Sequence, residues 1–448
     1  MQLIAQIIFI AALLFGIGFF ARNVKRLIRN IKLGKDVDRT DNPKARFGNM
    51  ARVALGQSKM VKRPIAGIMH IFVYVGFVII NIEVLEIIID GIFGTHRIFS
   101  FLGPGYDFLI GSFEVLAFLV LLGVIVFWTR RNISKIKRFW ANEMKGWPKN
   151  DANYILYFEM VLMALFLLMN ASDYQLQLLG AEHYAAANGQ IMGAFPVSQF
   201  LLPLLDGLSV STLIIVERAA WWLHILGILF FLNYLYYSKH LHILLAFPNT
   251  YYAKLKPKGE MNNLAAVKKE VDLMMDPNAD PFAAPEENGE EEEPEKFGAS
   301  DVQDLNWVQL LNAYTCTECG RCTSECPANI TGKKLSPRKI MMDTRDRVEE
   351  IGENINKNGE YKEDGKQLLG DYITQEELWA CTTCNACVEA CPIGIDPLSI
   401  ILDMRRYLMM EQSAAPNELN IAMTNIENNG APWPYNQMDR LKWAEENN

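Results

Sequence analysis

The 448-residue chain has no cysteine before Cys316 and none after Cys391. A fold-wide disulfide framework is therefore excluded, and the regular spacing inside that window argues against disulfides there too. Lysine and arginine are scarce from Asp151 to Glu217, where the sequence contains none. Set between basic loops, such a gap marks the outer side of a membrane protein. Histidine is scarce, with six in the chain. A basic excess is also lacking: 43 Lys and Arg against 51 Asp and Glu leave a net charge of −8. That balance argues against a nucleic-acid partner, which needs a basic surface.

What is present divides into unlike halves. Residues 1–250 hold long apolar runs, and residues 251–448 are polar and acidic. Five segments approach the roughly 20 apolar residues that a bilayer requires: Leu3–Ala21, Ile65–Ile89, Phe108–Trp128, Tyr154–Asn170 (extending toward Leu178) and Ala219–Tyr237. The first has no basic residues before it and no small-residue cleavage pattern after it, so it reads as a retained anchor. Basic residues follow the first span (Arg22, Lys25, Arg26, Arg29, Lys32, Lys35) and the third (Arg130, Arg131, Lys135, Lys137, Arg138). The positive-inside rule then places the N-terminus outside, and five spans carry the cysteine region into the cytoplasm. The expected location is a bacterial inner membrane.

The expected fold is all-α: a five-helix transmembrane bundle (1–250), a juxtamembrane segment and acidic linker (251–300), and a helical cysteine-bearing domain with a C-terminal tail (301–448). Within the linker, Asp276–Lys296 combines prolines with a block of glutamates. Such a composition predicts a tether or a surface loop rather than a packed core.

His70 lies in the second span near its cytoplasmic end, and His224 and His242 belong to the fifth. The latter two are eighteen residues apart, five full turns, so a continuous helix would present both on one face about 27 Å apart. His240 would point roughly 200° away from His242, out of its pocket. His70 matches His242 in depth, which predicts one b-type haem between them. No span histidine faces His224; the residue ten after His70 is Ile80, so a second haem lacks a ligand. Glu83 and Glu114 lie at about the depth of His224. Intramembrane ionisable groups mark proton or substrate paths, and these three predict a quinone or proton site, with hydration at the headgroup edge as the alternative.

The eight cysteines form two copies of C-x2-C-x2-C-x3-C-P: Cys316, Cys319, Cys322 and Cys326, then Cys381, Cys384, Cys387 and Cys391. Three closely spaced thiolates wrap one cubane, and the fourth leaves to ligate the other. One cluster is therefore expected on Cys316, Cys319, Cys322 and Cys391, and the other on Cys381, Cys384, Cys387 and Cys326. Zinc also uses C-x2-C pairs but has no use for this repeated series. The long spacer, Ala328–Ala380, predicts helices around Pro337–Glu349 and Gln375–Trp379. Small residues such as Gly320 and Ala386 suit loops packed on a cluster, and Lys333, Lys334, Arg338 and Lys339 form either a basic patch nearby or a solvated helix face.

On the five spans, His70, His224 and His242, residues 1–250 resemble the cytochrome b (gamma) subunit of respiratory nitrate reductases and the similar membrane subunit of methanogen heterodisulfide reductases. On the two cysteine motifs, residues 301–400 resemble the helical dicluster ferredoxin of heterodisulfide reductase and of the anaerobic glycerol-3-phosphate dehydrogenase anchor subunit. The resemblance implies a cytoplasmic-side haem on His70 and His242. It also implies an outer haem for which this chain keeps His224 but lacks the partner. The cysteine-rich catalytic module common in those families has no counterpart after Cys391.

The expectation is an electron-transfer subunit linking a membrane quinone, haem b and two clusters to a cytoplasmic redox protein. That protein would be a cysteine-rich iron–sulfur subunit or an electron-transfer flavoprotein. The alternatives are a membrane anchor whose complex carries catalysis elsewhere, and a membrane redox sensor without turnover.

Overall fold

The computed structural model describes residues 2–184, 190–277 and 296–445. The chain is 72% helical, with no β-strand among the described residues. Five helices are long and apolar enough to cross a membrane: Gln2–Ile31, Pro64–Phe93, Pro104–Asn132, Trp147–Leu178 and Val210–Tyr234, the last prolonged by a 3-10 turn to Tyr237. Each reaches past its apolar run because polar residues set the ends. Pro64, Pro104 and Pro148 open the second to fourth helices with φ already fixed for a helix. The Ser209 side chain caps the fifth. Gly94, at φ 71°, ends the second in the left-handed conformation.

The outer faces of these helices are apolar and uncovered. Phe15 is 75% exposed and Phe108 equally so, a pattern suited to lipid contact and costly in water. The inner faces close through small residues. A methyl group on Gly76 would collide with Val120, and one on Gly91 with the Phe9 ring. The second helix thereby packs closely on the third and the first.

The ferredoxin domain docks directly on one end of the bundle. One apolar core runs from Leu27, Ile155, Phe231 and Leu241 of the membrane half into Leu305, Leu310, Ile340 and Ile401 of the domain. Polar contacts reinforce it. Lys35 and the segment at Leu305–Trp307 exchange backbone hydrogen bonds of 2.7 and 3.0 Å. Asn30 donates to the Tyr314 hydroxyl at 3.0 Å. The fully buried Arg338 pairs with Glu143 at 2.7 Å and donates to the Arg138 carbonyl at 2.6 Å. Packing of the domain begins at Lys296, which pairs with Asp304 at 2.6 Å. Most of the acidic stretch expected to be a tether or a surface loop lies outside the described residues.

Two local expectations need correction. The fifth span does not continue to His242. Ser238 is extended (φ −117°, ψ 147°), a 3-10 turn covers Lys239–Leu241, and a new helix runs His242–Tyr251. The basic patch is not a patch. Arg338 is buried, Lys339 pairs with Asp343 and Glu377, and Lys334 pairs with Glu376. The spacer helices run Pro337–Asn358 and Gln375–Trp379.

Candidate redox centres

The two cysteine motifs repeat in backbone as well as in sequence. Glu318 (φ 54°) and Thr383 (φ 56°) stand just before the second cysteine of each set, and Gly320 (φ 68°) and Asn385 (φ 59°) just after it. Each loop so turned leads into a five-residue helix, Arg321–Glu325 or Ala386–Ala390, that ends at the fourth cysteine. The two short helices pack on each other. Asn385, rather than Ala386, is the counterpart of Gly320. Asparagine tolerates the left-handed region, whereas glycine is needed at 320 because a Cβ there would meet the Arg338 guanidinium.

This packing crosses the motifs. Cys316, Cys319, Cys322, Cys387 and Cys391 line one small cavity, which so brings the fourth cysteine of the second motif to the first three of the first. Cys326 lies instead within electrostatic reach of Cys381 and Cys387, and Cys384 beside Cys381. All eight are free thiols, and Cys384 alone is exposed. Among the described residues, no three His, Cys, Asp or Glu side chains converge as a single ion would require. Burial pushes the Cys316 and Cys387 thiols up to about 12. Such thiols stay neutral near pH 7, and bonding to iron supplies the positive charge that makes them thiolates. Backbone donors already face the sulfurs: Thr383 N–H to Cys381 Sγ at 3.4 Å and Ile395 N–H to Cys391 Sγ at 3.3 Å. The donor set fits two cubanes.

The break at Ser238 shapes the histidine site. His70 and His242 come together with ring centres 6.4 Å apart and planes 43° apart. Two imidazoles bound on opposite sides of one metal, each at about 2 Å, have centres roughly 6 Å apart. His242 Nδ1 lies 3.1 Å from the Lys239 carbonyl; that bond leaves Nε2 for a ligand. His70 Nδ1 is buried without a hydrogen-bond partner. The chemistry of these two imidazoles is of the kind that would hold a haem iron. His240 is not turned away, as a regular helix would have it. Its ring centre is 5.4 Å from that of His242, and its Nε2 is 3.4 Å from Glu159.

Lys239 links this site to the first cysteine loop. Its carbonyl meets His242, and its ammonium pairs with the buried Glu318 between Cys316 and Cys319. Burial alone would raise the Glu318 carboxyl, but Lys239 and Arg345 outweigh it and hold the group below the usual glutamate range.

At the far end of the bundle, Glu83 and Glu114 lie within electrostatic reach of each other, and of Glu83, Glu114 and His224 only Glu83 lines the cavity there. Glu83, 3% exposed and with Oε2 unpartnered, lines a cavity of about 410 Å³. Glu114 instead accepts from the Val197 and Ser198 N–H groups at 2.9 and 3.0 Å. His224 is buried one turn from the cavity-lining Trp221, with Nδ1 3.0 Å from the Leu162 carbonyl. The cavity is completed by residues that no motif or spacing singles out. Asp173 lies 3.3 Å from His96 Nε2 and 2.5 Å from Arg97 Nε, and Arg218 pairs with Glu217. A signal was available: Arg97 and Arg218 are cations on a side otherwise poor in them.

Residues 315–395 match the 4Fe-4S dicluster domain family. Among curated proteins, the chain is 29% identical to the "Probable iron-sulfur-binding oxidoreductase FadF" of Bacillus subtilis, over 98% of this chain and 61% of that protein. It is 28% identical to the "EtfAB:quinone oxidoreductase" of Syntrophomonas wolfei, over 92% of this chain and 55% of that protein. It is also 34% identical to one subunit of the "Ferredoxin/F(420)H(2)-dependent CoB-CoM heterodisulfide reductase" of Methanosarcina acetivorans, over 26% of this chain and 59% of that protein. The chain thus spans a little over half the length of the first two relatives. No solved structure matches it.

Proposed function

We propose that the chain is the membrane electron-transfer subunit of a quinone-linked oxidoreductase, joining a quinone in the far-end cavity to a soluble cytoplasmic redox partner. Electron transfer through iron–sulfur chemistry accords with the relatives.

Cys316, Cys319, Cys322 and Cys391 would hold one [4Fe–4S] cluster, Cys381, Cys384, Cys387 and Cys326 the other, and His70 with His242 a haem b. These groups, when bound, supply the one-electron steps that divide a two-electron quinol couple. The protein's own residues do the rest. As a quinol becomes a quinone, Glu83 takes one of its two protons and the second leaves to water on the outer side, while the two electrons pass singly toward the cytoplasmic side; reduction is the reverse. His96, oriented by Asp173, is placed to hydrogen-bond a quinone oxygen. The bundle and its lipid-facing helices keep water from the path between the ends. Cys384, exposed, marks where a cytoplasmic partner would meet the second cluster. By this topology the ferredoxin domain lies in the cytoplasm and the N-terminus outside.

The observation that carries this reading is the 6.4 Å approach of His70 to His242. Reduced-minus-oxidised spectra of the purified protein test it. His70→Ala and His242→Ala should each abolish the bands of a bis-histidine haem, while His224→Ala should retain them. Bands that survive both of the first two substitutions would overturn the assignment.

A second reading keeps the relay but places catalysis on a separate chain, such as a cysteine-rich iron–sulfur protein or an electron-transfer flavoprotein. The names of the heterodisulfide reductase and EtfAB relatives favour it. Co-purification of a stoichiometric partner would distinguish it.

A further inference from the structure

A second cavity, of about 500 Å³, lies between the loop after the first span, the segment after Tyr251 and the ferredoxin domain. Seven cations line it. Three are neutralised: Lys256 by Glu260 at 2.6 Å, Arg406 by Asp403 at 2.9 Å, and Lys258 by Glu389. The other four, Arg39, Arg52, Lys59 and Lys254, have no carboxylate within ion-pair distance among the described residues. Arg39 Nε is buried with no hydrogen-bond partner at all. Asp396 also lines the site, within electrostatic reach of Arg39 and Lys254, and leaves a positive excess that is repulsive unless a further anion joins it.

The walls are built rather than accidental. Arg46, 1% exposed, donates to the Tyr251 and Ala253 carbonyls at 3.2 and 3.0 Å. Asn49 donates to the Thr250 carbonyl at 2.7 Å. These bonds lock the backbone on which Arg52 and Lys254 stand. The elements forming the rim also expose apolar side chains: Phe47 at 58%, Leu55 at 47% and Leu244 at 43%. A basic pocket beside apolar groups on the ferredoxin-facing side of a membrane bundle suits phosphate headgroups.

We propose that this cavity binds a phosphate-bearing anion, held by Arg39, Arg52, Lys59 and Lys254. Its source is an anionic lipid headgroup or a soluble phosphate compound. The site borders the second cysteine motif but contains no cysteine, and it stands whichever cofactors the redox centres hold. Lys59 touches both, since it donates to the Cys391 carbonyl at 3.0 Å. A bound anion would therefore brace the second motif against the membrane side.

The full-length protein, purified in neutral detergent, is titrated with phosphatidylglycerol and with phosphatidylcholine under native mass spectrometry. In a separate arm, inorganic pyrophosphate is added and the thermal midpoint followed. The variant Arg39→Gln/Arg52→Gln/Lys254→Gln is compared with a control, Lys333→Gln/Lys357→Gln, on exposed lysines elsewhere. Tighter binding of phosphatidylglycerol than phosphatidylcholine, weakened more than about tenfold in the triple variant alone, supports the lipid source. Stabilisation by pyrophosphate, lost in the triple variant alone, supports the soluble source. Absence of any preference for either anion, or equal behaviour of triple and control variants, overturns the proposal. If the triple variant loses its iron–sulfur absorbance, Arg52→Gln alone makes the same comparison.

Discussion

Glu83 and Glu114 sit in neighbouring spans, both fully enclosed, yet their bonds differ. Glu114 holds two backbone N–H groups of the Val197–Ser198 turn, which its oxygen would satisfy equally well as an amide. Each keeps one oxygen without a partner, but of the two only Glu83 lines the cavity. A buried oxygen left unpartnered on a cavity wall is one that a ligand can use. Glu83→Gln should lower quinol turnover about a hundredfold, the lower range for losing a proton-transfer group, with unchanged cofactor content. Glu114→Gln should leave turnover near the parent value. Steady-state quinol oxidation in vesicles measures both; unchanged turnover in Glu83→Gln would remove its proton role. Depth alone grouped these residues with His224, because a helical pattern gives height in the membrane but not rotation toward a cavity. Asp173, His96 and Arg97 were unreadable for a related reason: they meet only after separate elements have packed.

At the scale of elements, the spans were legible because a bilayer demands their length and apolarity. The break at Ser238 was not. No proline or glycine marks it; the backbone leaves the helix because Asp151, in the fourth helix, accepts the Lys239 N–H at 3.1 Å and the Tyr234 hydroxyl at 2.6 Å. A partner so distant in sequence has no local signature. The cysteine motifs, in contrast, encode their loops within a dozen residues, and the positive-φ positions follow from that spacing.

Docking of the ferredoxin domain also rests on long-range pairs, chiefly Glu143 with Arg338. Burial raises the Glu143 carboxyl, but the hydrogen bond and charge of Arg338 outweigh it, so the folded value lies below the usual glutamate range. A carboxyl depressed in the folded state contributes stability above its unfolded value, and that contribution is lost as pH falls through the folded one. Hydrogen-exchange protection in Pro337–Asn358, corrected for the intrinsic pH dependence of exchange, should therefore fall as pH drops below the ordinary glutamate range. Glu143→Leu should lower it at neutral pH, since an unpaired buried charge costs about 3 kcal/mol or more. Exchange rates in that helix that are insensitive to the substitution would show that the pair does not hold the domain.

On the scale of the whole molecule, one continuous structure carries candidate sites at successive levels: a polar cavity at one end, paired histidines near the other, and eight cysteines docked below. Sequence composition left a tether or a surface loop between the two halves, and the shared core from Leu27 to Ile401 makes the domain an extension of the bundle. The relay requires that fixed arrangement, and it requires iron in both cysteine sets. Iron and acid-labile sulfide counts on anaerobically purified protein, combined with electron paramagnetic resonance during a redox titration, test this most directly. The expected result is about eight irons and eight sulfides per chain, with signals of two interacting [4Fe–4S] clusters. Zinc in their place, or fewer than about six irons in fully folded protein, would contradict the account.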